Sequence, residues 1–211
     1  MDDSLNLEIE EFYEHLLTVL PDMYDVDLIP LVFNLLLVYS QERPATLIDG
    51  RDFGEQLFST PEFTSFLDQE GLFYGKITTE GVPQLWIWND EVVPLLSSPE
   101  FVSFLSQVAH WSSWSRSRDL PKPDSHVEDA HYYRGLLLGF PCPGYFREAF
   151  RTKSLLVSMT IDGIQVYSYM CPITPGNIRE TEDRYSRFQP YAAMMGYDLD
   201  LHIREKVVTF R

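Results

Sequence analysis

Leu57-Phe-Ser-Thr-Pro-Glu-Phe-Thr-Ser-Phe-Leu-Asp-Gln69 recurs as Leu95-Leu-Ser-Ser-Pro-Glu-Phe-Val-Ser-Phe-Leu-Ser-Gln107, with nine of 13 positions identical at an offset of 38. Thr60 and Ser98 stand where a helix N-cap accepts from the first free amides, and Pro61 and Pro99 occupy the first helical position. Phe63, Phe66 and Leu67, like Phe101, Phe104 and Leu105, then share one helical face. Between the copies, Leu72 to Thr78 and Pro83 to Trp88 read as two strands around a short turn containing Gly81. The unit is therefore helix, hairpin, helix. Two copies fall short of a solenoid and point to a local duplication.

Working outward, residues 5–20 space Leu5, Ile9, Phe12, Leu16, Leu17 and Leu20 at helical intervals with glutamates between them. A second helix is expected from Asp27 to Gln41, with Pro30 in its first turn. Residues 112–125 carry no apolar period and mark a linker between two lobes, 1–111 and 126–211. Beyond it, Val127 to Leu138 reads as a helix closed by Gly139 and Pro141, and a short helix is expected over Gly144–Arg151. Leu155–Thr160 and Ile164–Tyr169 flank Asp162-Gly163, a hairpin signal. Pro175–Gly196 reads as helical with an interruption at Pro190, and the segment from Asp198 as a strand. The pattern predicts an α+β fold of helices and short antiparallel hairpins, because the βαβ rhythm of a parallel sheet is missing.

Charge is distributed unevenly. The net charge is −16 over 211 residues; residues 1–100 hold 20 acidic and three basic side chains, and residues 101–211 hold 12 and 13. An acidic half suits a basic protein partner, approached by electrostatic steering. The function expected on this ground is that of a non-enzymatic interaction or regulatory protein of the inhibitor, antitoxin, immunity or DNA-mimic type. Glu8, Glu11, Glu14, Asp22, Asp25 and Asp27 are the candidate partner-binding residues. Four lysines against 12 arginines also suit salt adaptation, in which charge serves hydration alone, but that would acidify both halves.

Catalytic and cofactor patterns are sparse. Cys142, in the rigid Gly139-Phe-Pro-Cys-Pro-Gly144 turn ahead of the expected helix, is the candidate nucleophile, with His131 as a conceivable base. That pair is the alternative function: a small Cys-dependent hydrolase or transferase. Glu11 and His15 share a helical face, yet a metal needs three or four converging ligands. His126, His131, Cys142 and Cys171 have zinc-binding chemistry without the close ligand pairs of zinc sites. No phosphate-cradling glycine loop and no nucleophile elbow occurs, so no cofactor is expected. Trp111, Trp114, Arg116, Arg118 and Lys122 mix aromatics with cations as single-strand binders do, but a chain of net −16 repels phosphate. The first residues are acidic, the longest apolar run contains Pro30 and Asn34, and only two cysteines occur. These features predict a cytoplasmic protein with neither secretory leader nor membrane span.

Overall fold

The computed structural model describes residues 3–20, 25–49, 53–79, 82–92, 110–113, 116–118, 135–142 and 153–207. It is an α+β fold. In chain order the elements are α1 (Asp3–Val19), α2 (Asp25–Tyr39), β1 (Ala45–Asp49), α3 (Phe53–Phe58), α4 (Pro61–Gln69), β2 (Phe73–Thr79), β3 (Val82–Trp88), β4 (His110–Ser113), β5 (Arg116–Arg118), β6 (Lys153–Ile161), β7 (Ile164–Pro172), α5 (Pro175–Met194) and β8 (Asp200–Val207).

Helix α2 organises the molecule. Leu31 to Val38 are all buried, so it is apolar on every side and must be wrapped by other elements. Phe12 of α1 stacks on Tyr39 at 3.9 Å between ring centroids, and Phe33 meets Phe188 of α5 edge-on at 6.2 Å. The helix begins at Asp25, which places Pro30 inside it and not in the first turn. It ends at Tyr39, short of the expected Gln41, and the left-handed φ of +62° at Gln41 turns the chain back so that the Arg43 amide donates to the Leu37 carbonyl.

The strands form two antiparallel sheets, ordered β1-β3-β2-β4-β5 and β7-β6-β8. Asp162 and Gly163 both take positive φ, the requirement of a tight hairpin turn, and join β6 to β7. In that ladder Met159 opposes Tyr167 but Thr160 opposes Gln165, so Val166 is the extra residue of a β-bulge. The final segment is a strand, β8, paired with β6. Helix α5 runs through Pro190 without a break. Apolar side chains from α1, α2, α4, β3, β6, β7 and α5 form one contiguous core, so α2 joins the first hundred residues to the last sixty.

Several expectations meet their local structure here. The first copy of the repeated motif is α4, with Phe63, Phe66 and Leu67 buried; the second copy lies outside the described residues. Thr60 has the extended backbone of an N-cap but its side chain does not cap α4, because the hydroxyl donates to the Gln56 carbonyl of α3. Strand β1 and helix α3 had no periodic signal in the sequence. Residues 112, 113 and 116–118, inside the span read as a linker, belong to the β4–β5 hairpin; the rest of that span lies outside the described residues. The helix closed by Gly139 is described from residue 135, and the one expected over Gly144–Arg151 lies outside.

Candidate functional site

Two surfaces of opposite character emerge. The first is the acidic face of α1. With Ile9, Phe12 and Leu16 turned into the core, the 3.6-residue period forces Leu7, Glu10, Glu11 and Glu14 to the outer crest and sets Glu8 and Leu17 beside it. Helix α1 contains no lysine or arginine, and none of its four glutamates forms an ion pair among the described residues. Glu10 and Glu14, with Asn6 and Tyr13, border a groove of about 490 Å3 closed on the other side by Pro190 and Met194 of α5. On the opposite flank, Glu8 and Glu11 act with Glu70 on Tyr39: burial first, and then these carboxylates, raise its phenol above the ordinary value. His15 Nδ1 lies 2.8 Å from Glu70 Oε1, tying α1 to α4. Leu7 and Leu17 are 57% and 45% exposed, and they bracket the carboxylates at the two ends of the stripe.

Of the other candidates, Asp25 and Asp27 lie in the first turn of α2. Asp22 and His131 fall outside the described residues. Cys142 is half-buried, and its thiol donates to Asn177 Oδ1 at 3.7 Å. Among the described residues no three His, Cys, Asp or Glu side chains stand close enough to share a metal ion, and no helix is long and apolar enough to cross a membrane.

The second surface was not legible in the sequence. Strands β1 and β7 are edge strands of different sheets, and α2 lies against both without their pairing. The space left between them is a cleft of about 550 Å3, walled by Leu47 of β1, Val166 and Met170 of β7, and Leu138, Phe140 and Cys142 of the connecting segment. Arg43 enters its floor, 5% exposed, with its guanidinium 5.0 Å from the Tyr167 ring centroid. Arg43 Nε donates to the Leu138 carbonyl and Nη1 to Asn34 Oδ1. Asn34 in turn donates to the bulged Val166 carbonyl, which the ladder leaves without a strand partner. Arg184 approaches the same ring from α5 at 5.9 Å, and its Nη1 donates to the Gly139 carbonyl (2.6 Å) and to Tyr167 Oη (2.9 Å). Consecutive carbonyls, 138 and 139, thus receive the two guanidiniums. Burial pulls the Arg43 guanidinium down to about 10, with Arg184 adding to the effect, so it stays charged at neutral pH. Burial likewise pushes the Tyr167 phenol up, against the pull of both arginines.

Two arginines of α5 form ion pairs. Arg184 turns inward and pairs with Glu180 at 3.3 Å, and Arg187 reaches Glu42 at 3.6 Å. The chain matches no protein-family model, no curated protein and no solved structure.

Proposed function

We propose that this chain is a non-catalytic interaction protein whose α1 face binds a basic protein surface. The observation that supports this reading is the unpaired carboxylate stripe between two exposed leucines. Glu10 and Glu14 stand four apart and Glu8 and Glu11 three apart, spacings at which like charges destabilise a helix by roughly 0.2–0.5 kcal/mol per pair. No cation on α1 offsets that cost. A partner presenting lysines or arginines would remove the repulsion and bury Leu7 and Leu17, which together span ~15 Å of helix. That combination of charge and apolar anchors fits an inhibitor, antitoxin or immunity protein, or a mimic of nucleic-acid phosphates. A cytoplasmic setting belongs to the same proposal.

The test is affinity capture with the wild-type chain and with a variant carrying Glu8→Gln, Glu11→Gln, Glu14→Gln, Asp22→Asn and Asp25→Asn. The expected result is a protein retained at low salt by the wild type only and released as ionic strength rises. Recovery of the same proteins by both chains at low salt would reduce the acidic face to a solubility device.

A further inference from the structure

In a chain of net charge −16, the only buried charged side chains among the described residues are two arginines, Arg43 and Arg184, and no carboxylate is buried with them. Arg184 has a countercharge in Glu180, which is itself 42% exposed. Among the described residues Arg43 has none: its partners are an amide oxygen, a backbone carbonyl and an aromatic ring. Neutral acceptors satisfy hydrogen bonds without cancelling charge, and a guanidinium taken out of water unneutralised costs several kcal/mol. Its second terminal nitrogen, Nη2, donates to no group among the described residues. This side chain forms part of the wall of an open cleft and not of a sealed core.

We propose that the cleft between β1 and β7 is a binding site for a small organic carboxylate with an apolar body, its carboxylate received by Arg43. The volume of about 550 Å3 lies within the range of small-molecule sites, and the described lining contains no acidic residue. Leu47, Leu138, Phe140, Val166 and Met170 offer hydrocarbon contact along most of the wall. Arg43, Thr46, Gln165 and Ser168 add polar groups to that wall, and Arg43 Nη2 has donors that no described residue accepts. One unneutralised guanidinium matches one negative charge, and a polyphosphate would meet hydrocarbon where it needs further cations. The carboxylate would supply the countercharge that no described residue gives Arg43, so binding would be strongest for acids whose hydrophobic part fills the space. This inference is independent of the acidic face of α1, which lies on a different set of residues.

The test uses the full chain, titrated calorimetrically with phenylacetate and octanoate, and with 2-phenylethanol and 1-octanol as their uncharged counterparts. Saturable 1:1 binding of at least one acid at millimolar or lower concentration is expected, with the matching alcohol weaker by about tenfold or more. Ser168→Phe, which adds bulk to the cleft wall from β7 and leaves Arg43 unchanged in sequence, and Arg43→Lys, which keeps the charge but loses the fork, should each weaken binding by about tenfold. The proposal is overturned if neither acid saturates at millimolar concentration, if the alcohols bind equally, or if Ser168→Phe folds and binds like the wild type. The comparison of acid with alcohol on the wild-type chain decides the matter even where a variant does not fold.

Discussion

Gly139 shows how much a single residue sets in this cleft. A Cβ there would stand 2.7 Å from Pro44 Cδ, and its φ of +66° belongs to the left-handed region that side chains avoid. The close approach brings carbonyls 138 and 139 to the two arginines. Gly139→Ala should therefore destabilise the fold by about 2–4 kcal/mol in chemical denaturation, combining backbone strain with a clash against a proline ring. Gly71, Gly163 and Gly196 also have positive φ but open space around them, so alanine there brings strain alone. Tyr169 gives a second residue-scale expectation. Its hydroxyl donates to Thr181 Oγ1 at 2.7 Å, since Thr181 itself donates to the Asn177 carbonyl. Burial pushes the phenol up from 10.0 to about 12. The unfolded chain loses this proton near pH 10 while the folded chain keeps it, so stability falls as pH rises from 10 to 12. Thermal unfolding against pH should show that decline, and Tyr169→Phe should make it shallower, leaving the part that the raised phenols of Tyr39 and Tyr167 contribute.

Elements that share a motif differ in how their ends are held. Thr60-Pro61 and Thr174-Pro175 look alike in sequence, and both open helices. Thr174 Oγ1 accepts from the Asn177 amide at 3.1 Å, a true cap, whereas the Thr60 hydroxyl donates back to α3. Thr174→Ala should then cost about 1 kcal/mol and Thr60→Ala only a few tenths, measured by urea unfolding. Helix positions were legible because apolar spacing records burial: α1, α4 and α5 follow directly from it. Strand β1 was not, because Ala45-Thr-Leu-Ile-Asp49 is too short to establish a period and is flanked by no hairpin turn. The passage of α5 through Pro190 was equally hidden. A proline ring costs a helix one amide bond, but Tyr191 and Ala192 immediately beyond it are buried, and their packing keeps the last turn in place.

At the scale of the whole molecule, the two surfaces should differ in their response to salt. Carboxylates on the α1 crest face water, so their attraction to a cationic partner is screened with a Debye length of ~10 Å at 0.1 M. Arg43 is buried, and a ligand charge held against it is screened far less. Raising salt to 0.5 M, on the order of a two-fold shorter screening length, should abolish partner capture while changing carboxylate affinity little. The same charge argument reaches stability. Glu8→Gln, Glu11→Gln and Glu14→Gln together should hold or slightly raise the melting temperature at low salt, because they remove repulsion and break no ion pair among the described residues. A marked loss of stability in that variant would mean that these carboxylates serve the fold itself.

The sequence by itself determined the α+β class, most helix positions, both long hairpins and the acidity of α1, since each follows from local spacing, turn chemistry or charge count. It also carried Arg43, Asn34, Gly139, Tyr167 and Arg184, but as isolated letters up to 150 residues apart. Only the tertiary structure decided that they meet. Their meeting depends on α2 being wrapped from both ends of the chain, on a bulge that frees one carbonyl, and on a glycine that lets a loop touch a proline. Such contacts leave no periodic trace, because each is made once between residues distant along the chain.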